Sequence, residues 1–457
     1  MTEKDIECEV VTPLFSRGVT EPVNGAYPFE LRPQSVKGVM RFWFRAIAPL
    51  VIDIYKLDEL NKLNDDERKR WEGERYKGLK YLEELIFGSQ NRKAPFGLEV
   101  ETSRNVKTLK GYKLKKGRTP ESENPKDYKF DVEPPFQSYS VYGLHNDDNM
   151  VTYQYIDSGE KFTLKFYIRD EQVGNVLMNI LWMVSIFSGF GAKTRKGYGE
   201  FRIVNQGNVI GNRDAFNDAQ VQVKKSLDEF VKTHNDTNRY PKFVIQPTQF
   251  NGLPEFPTFA SYTIFTLPNL SDDKWSKVME QLYSIKIDMG TRKVMSRGWY
   301  IVLKYSLRTN NGKDCVKNLK DALLNNVRTV VIPPSILGLP IQYQNLKDSK
   351  KPDISYFRIT LFSLLRGLDG IDDENGRKGS PLFVSLHQTN DKWIPVLLLM
   401  NSQITNDRNE LRLEKSVKEA SQKAKPYKLH EDFTVVGYED FDALSQLITK
   451  SGGKKYE

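Results

Sequence analysis

The sequence predicts an α+β protein built from two ferredoxin-like (βαββαβ, RRM-like) units in tandem, with helical and loop insertions. Three observations predict it. The chain has 457 residues, too many for one ordinary hydrophobic core, so two units are expected. Its first two hundred residues run strand, helix, strands, helix, strand, which is the order of a split βαβ unit. After a polar stretch, Asn205–Tyr240, alternating apolar strands and amphipathic helices begin again. The expected division is therefore 1–240 and 241–457, with insertions near 56–90 and 103–131 in the first unit.

Ile6–Phe15 alternates and is rich in Val, as a half-buried strand does. A Gly/Pro-bearing loop, Ser16–Pro33, leads to a helix expected to be capped by Ser35. Val36, Val39, Met40, Trp43, Phe44 and Ile47 recur at helical spacing and mark its buried stripe. The charged stretch Lys56–Tyr81 reads as an inserted, exposed helix running to Phe87. Ser103–Asp131 is polar and basic, and reads as a long loop or an extended hairpin. Strands are expected at Thr152–Ile156, Lys161–Ile168 and Glu200–Val204, with an apolar helix at Val173–Phe187. In the second unit, strands are expected near Phe259–Leu267, Val327–Pro333, Ser380–His387 and Ile394–Gln403. Helices are expected at Asp272–Ser284, Cys315–Asn325 and Tyr438–Thr449.

Composition narrows the partners. A net charge of +9 favours polyanions, because each neutralised phosphate releases condensed counterions. No polybasic segment flanks a long apolar helix, which disfavours acidic lipid. The opening MTEKDIECEVV has acids and no apolar signal core. The longest apolar stretches, Leu177–Phe187 and Trp393–Met400, fall short of the roughly 20 residues that span a bilayer. Two cysteines, Cys8 and Cys315, make neither a disulfide framework nor a structural zinc site. A cytoplasmic protein without membrane contact is the expectation.

Two constellations stand out. In ELRPQSVKGVMRFWFRAI (Glu30–Ile47), Lys37, Arg41 and Arg45 are four residues apart and share one helix face. That face can meet phosphate, or it can be a solvated flank whose long side chains shield the core. Gly38 costs helix stability and leaves room for another backbone. In SGFGAKTRKGYGEF (Ser188–Phe201), Gly189, Gly191, Gly197 and Gly199 surround Lys193, Arg195 and Lys196, with Phe190 and Tyr198 between them. Glycines can present unblocked amides, cations supply charge, and aromatic rings can stack on unpaired bases. The alternative is a surface turn. Ala192 before Lys193-Thr194 excludes a Walker loop, and a preceding helix excludes the dinucleotide fingerprint.

Three weaker basic segments are Arg104–Arg118, Thr291–Tyr300 (with Arg292, Lys293, Arg297, Trp299 and Tyr300) and Gly376–Gln388 (with Arg377 and Lys378). Catalytic candidates are sparse. His145, His234, His387 and His430 show no metal-ligand spacing, and neither HExxH nor GxSxG occurs. No catalytic residue, metal or cofactor is expected. Tyr198 beside Lys196 is the one acid candidate for a metal-independent nuclease.

The run TPLFSRGV, FELRPQSVKGVMRFWFRAI and LEELIFGSQ, followed by GFGAKTRKGYGEF, resembles the first RAMP subunit of the Cmr (type III-B CRISPR) effector complexes. The resemblance covers Thr12–Phe201. Beyond it, Gly379–Phe383 matches less specifically. It implies two ferredoxin-like RAMP domains without nuclease activity of their own. It implies binding of CRISPR RNA and target RNA near the guide 3′ end, beside other Cmr RAMP subunits. On this reading Lys37, Arg41, Arg45, Gly191, Lys193, Arg195, Lys196, Gly197 and Tyr198 contact RNA. Two departures weaken the parallel: lysines at 193 and 196 lack arginine's bidentate fork, and the Ser103–Asp131 insertion is long. Some RAMP relatives trim CRISPR RNA without metal, and that is the alternative activity.

Overall fold

The computed structural model describes residues 1–18, 21–115, 128–146, 151–204, 213–237, 239–287, 294–309, 314–316, 319, 329–339, 341–346, 357–363, 378–389, 391–405, 410–417 and 434–456. The first unit is β1 (Thr2–Val10), α1 (Pro33–Ile47), β2 (Phe96–Thr102), β3 (Lys161–Ile168), α2 (Glu171–Phe187) and β4 (Phe201–Ile203). The second is β5 (Tyr262–Thr266), α3 (Trp275–Tyr283), β6 (Leu382–Thr389), β7 (Lys392–Met400), α4 (Phe441–Lys450) and β8 (Lys454–Lys455). The two sheets have the same order, β4-β1-β3-β2 and β8-β5-β7-β6, with every neighbouring pair antiparallel. Each is a ferredoxin-like sheet. No helix among the described residues is long and apolar enough to cross a membrane.

Several local expectations change. The strand between α1 and β3 is Phe96–Thr102; Val151–Ile156 instead pairs with Leu14–Phe15, Ala26–Tyr27, Val106–Thr108 and His145–Asn146 in a separate sheet. Phe96, Leu98 and Val100 alternate in FGLEVET, so the period-two signal is present, though a glycine and two glutamates weaken its β-propensity. Helix α1 starts at Pro33, not at a Ser35 cap: proline fills the first turn, where its missing N–H costs nothing, and Arg32 stands at the cap without a side-chain bond. The 56–90 insertion breaks into two helices, Asp65–Glu72 and Lys77–Phe87, and the second is buried rather than exposed. Gly111–Lys115 and Tyr128–Val132 form the extended hairpin expected of 103–131. The stretch read as polar contains a 24-residue helix, Arg213–Asp236. Its Ala219, Val223, Leu227, Val231 and His234 form a buried stripe at helical spacing against α1 and α2. Further strands at Thr329–Val331, Ile341–Leu346, Phe357–Ser363, Glu410–Val417 and Thr434–Val436 build an inserted sheet in the second unit. Most of the helix expected at Cys315–Asn325 lies outside the described residues, as do His430, Arg292, Lys293, Arg377 and Arg118.

The two units share a core rather than merely touching. In β7, Val396, Leu398 and Met400 belong to the first unit's core, whereas Leu397 and Leu399 belong to the second's. A strand buried on both faces needs a continuous apolar run, and IPVLLLM supplies one. Trp43 and Phe42 of α1 both pack against Phe383 of β6. The chain leading to β5 is laid along the first unit: Lys242–Phe243 pairs with Leu57–Asp58, and the Phe259 amide donates to the Ala46 carbonyl.

The Gly-rich segment Ser188–Phe201 lies at this seam. Gly191 has φ +85°, and a Cβ there would stand 2.1 Å from the Phe15 carbonyl oxygen. The neighbouring Ala192 amide donates to that same oxygen, so the loop is pinned at the strand following the Thr12-Pro13 turn. Gly191→Ala should lower unfolding free energy by about 2–4 kcal/mol, combining an unfavourable backbone region with a backbone clash. Gly25, with φ +74° and open space at its Cβ position, is the control. Gly25→Ala should cost only about 1 kcal/mol in the same urea titration.

Candidate nucleic-acid interface

Helix α1 buries Val36, Met40 and Phe44 as its pattern predicts. Its three cations divide. Arg45 Nε and Nη2 donate to the two Glu83 carboxylate oxygens at 2.6 and 2.7 Å, a bidentate pair. Arg41 lies 3.5 Å from the same carboxylate and donates to the Phe87 and Gly88 carbonyls at 3.2 and 2.8 Å. Both arginines therefore tie α1 to the LEELIFGSQ segment, with about a third of each side chain exposed (35%). Lys37 differs. Its ammonium sits 4.6 Å above the Phe96 ring with no carboxylate partner among the described residues, and burial together with Arg41 lowers its pKa. Gly38 beside it is exposed, with nothing near its Cβ position, so no backbone of this chain uses the gap it leaves.

The Gly-rich loop departs further from expectation. Two of its glycine amides are already used: Gly197 donates to Thr194 O within the loop and Gly199 to Pro13 O, so neither is an open anion cradle. Tyr198 is fully buried, and its hydroxyl pairs with Ser140 Oγ at 2.9 Å. Phe190 is equally buried, stacked on Phe201 at 4.7 Å. Neither ring can take a base, which corrects the stacking role expected of Tyr198. The physical reason is that Phe190 packs on Phe162 and Phe201, and Tyr198 on Phe15 and Phe136, inside the apolar interior.

Arg195 is also drawn inward. It donates to Ser380 O at 2.7 Å, lies 4.7 Å over the Phe383 ring, and its own carbonyl accepts from the Val384 amide at 3.2 Å. Burial lowers its pKa to about 10. Lys378 lies close by and donates to the Glu255 carbonyl, and burial followed by the Arg195 charge lowers it to about 7. Glu200 closes the joint. Its two oxygens accept from the Leu386 amide at 2.9 and 3.0 Å, and burial raises its pKa against that bond. His387 bonds the Ile186 carbonyl at 2.7 Å and is lowered to about 4 by burial.

Lys193 and Lys196 are half-buried, as Arg195 is, but face the first unit's 139–143 segment rather than β6. Lys193 adopts φ +65°, a conformation non-glycine residues avoid. Lys196 donates to the Tyr139 carbonyl at 3.0 Å and lies 4.6 Å over that ring. Burial, then the charges of Lys193 and Lys304, lower it to about 7. Lys304, which sequence reasoning missed, reaches the same ring from helix Trp299–Arg308 of the second unit. Nothing in YIVLKYS marks it, because its neighbours arise from a fold contact. The basic TRKVMSRGWY segment is not one strand: Val294–Arg297 is a hairpin arm, and Trp299 and Tyr300 open that helix. Among the described residues, no group of three His, Cys, Asp or Glu side chains could hold a metal.

Residues 7–202 match the model of the RAMP superfamily. The chain is 27% identical over 212 residues to CRISPR system Cmr subunit Cmr1-2 of Pyrococcus furiosus, a match covering 44% of this chain and 96% of that one. It is 25% identical over 207 residues to Cmr1-1 of the same organism, covering 45% of this chain and 49%, about half, of the relative. The crystal structure of Cmr1 from Pyrococcus furiosus in its apo form aligns over 100% of this chain and 98% of its own. Its identity is 16% and its TM-score 0.48.

The α1 cations should separate by experiment. Arg45→Ala should lower stability by about 1–3 kcal/mol, because Glu83 loses its charge-assisted pair while mostly enclosed. Lys37→Ala should cost only about 0.5–1 kcal/mol, the value of its contact with Phe96. Urea unfolding of the two variants reads the difference.

Proposed function

Taking the RAMP-superfamily match over residues 7–202 as premise, we propose that this protein is a non-catalytic, RNA-binding subunit of a type III-B CRISPR (Cmr) effector complex. In it the chain contacts guide and target RNA near the guide 3′ end, next to other RAMP subunits. The observation that carries the reading is the likeness to Cmr1-2 along nearly the whole of that relative. The described site supports it: Lys37, Lys193 and Lys196 are half-buried cations without a carboxylate partner among the described residues. Lysines of this kind hold phosphate as point charges and do not read base edges. Sequence readout then falls to base pairing by the guide, as it does in RNA-guided effectors generally. Arg41, Arg45, Arg195, Gly191, Gly197 and Tyr198 act behind this surface, by holding the elements that carry it. We assign the units as 1–240 and 241–457, with 242–259 a strap of the second laid on the first.

The alternative, a metal-independent nuclease that trims CRISPR RNA, relied on Tyr198 as a proton donor. That hydroxyl is enclosed on Ser140, and burial pushes its pKa up. A general acid has to reach the leaving oxygen.

Binding of single-stranded RNA should fall linearly with salt on a log–log plot, by about 0.7 per phosphate contacted. Replacing both Lys193 and Lys196 by Ala should flatten that slope by about 0.7, the value of one phosphate contact, and weaken all sequences alike. The purified protein should leave guide and target RNA intact for hours, with or without EDTA. A specific cut abolished by one substitution that spares binding would establish the nuclease instead.

A further inference from the structure

The lysines of the Gly-rich loop do not stand alone at the seam. Lys196 and Lys304 lie 4.6 and 5.9 Å from the centre of one ring, Tyr139, and Lys193 reaches within 3.8 Å of the Cβ position of Gly143 just beyond it. They come from different units, and Tyr139 belongs to the short helix Ser138–Val141 inserted in the first. Beneath them, Tyr139, Tyr283 and Tyr300 pack ring to ring at 5.5–6.4 Å. No described carboxylate pairs with any of the three ammonium groups. Two polar atoms of the same neighbourhood, Ser138 Oγ and Tyr283 Oη, are buried without a partner.

Such a cluster is costly in the free chain. Like charges repel, burial removes their water, and no acid among the described residues compensates. The depressed Lys196, about 7, and the lowered Lys193 and Lys304 report that cost. Lys193 adds a left-handed backbone, the kind of local strain that gathers at ligand clamps. One anion placed among the three would offset their mutual repulsion and give each ammonium a partner.

We propose that Lys193, Lys196 and Lys304 form one phosphate-binding subsite over Tyr139, spanning the seam between the two units and holding a single phosphodiester of the RNA. The inference deepens the RNA-binding reading and rests on it. Its new content is that the second unit completes the site through Lys304. A single backbone phosphate suits the cluster because three ammonium donors can converge on its oxygens without the planar fork that arginine needs. RNA held there would bridge the units, so binding would stiffen their joint.

The test is a double-mutant cycle at Lys196 and Lys304, read by anisotropy of a labelled single-stranded oligouridylate across salt concentrations. Lys304→Ala should weaken binding about tenfold and flatten the salt slope by about 0.7. Lys304→Arg should restore most of both. The Lys196→Ala/Lys304→Ala double variant should lose less than the product of the single losses, because both side chains serve one phosphate. Lys304→Gln, which retains the side-chain stem, separates loss of charge from loss of packing; it should behave as Lys304→Ala with an unchanged melting temperature. Wild-type affinity and slope in Lys304→Ala, with Lys196→Ala impaired, would overturn the shared subsite and leave the RNA reading standing. Absence of oligouridylate binding by the wild type, with Lys304-dependent binding of polyglutamate, would overturn both.

Discussion

The bond that organises this molecule is the one between the Glu200 carboxylate and the Leu386 amide. A carboxyl group with no solvent around it is tolerated only if its oxygens are occupied. Here both accept from a strand of the other ferredoxin-like unit. The backbone on either side is fixed just as firmly: the Glu200 amide donates to Thr12 Oγ1, and its carbonyl accepts from Val11. One residue thereby ties the end of the first strand, the Gly-rich loop and the second unit's β6. Other contacts at the seam run along the same two segments. The backbone bridge between Lys196 and Val384, the Arg195 bond to Ser380 and the His387 bond to Ile186 all follow the same stretch of chain.

This constraint gives the Gly-rich loop two roles. Its glycines and aromatic rings are structural, closing gaps that no larger side chain or wetter ring could fill. Its lysines are left at the rim because the loop must turn sharply past Phe15, and the turn points them toward Tyr139 instead of into the core. The α1 motif is divided in the same way. Arg41 and Arg45 hold the helix to Glu83 and the Phe87-Gly88 carbonyls, while Lys37 lies over the Phe96 ring beside the exposed Gly38. In both motifs, the residues that make the sequence recognisable are mostly those that build the scaffold.

The α+β class and the tandem split-βαβ order were readable because β1, α1, β3, α2, β6 and β7 carry strong periodic signals. So was the buried stripe of α1. What escaped the sequence was set by tertiary contact. FGLEVET, with a glycine and two glutamates, carries less β-propensity than VTYQYI, and only the pairing of β3 with it over seven positions, Phe162–Ile168 against Phe96–Thr102, marks it as the second strand. Arg213–Asp236 is so polar on its outer face that its apolar stripe passes for a linker. The inward turn of Arg195 and Tyr198 could not be read from Gly, Lys and Tyr spacing, since it depends on a strand nearly two hundred residues away. Lys304 is a fold contact for the same reason.

The central claim is that the Gly-rich loop locks the two units together through Glu200. Hydrogen exchange at the Leu386 and Val384 amides tests it most directly, comparing the wild type with Glu200→Ala. In the wild type these amides should exchange slowly, as buried amides with partners do. In the variant the account predicts a large loss of protection across 382–389 and 186–201, with Phe162–Ile168 in the middle of the first sheet still protected. Unchanged exchange at Leu386 would contradict it, and would mean that core packing alone holds the units in register.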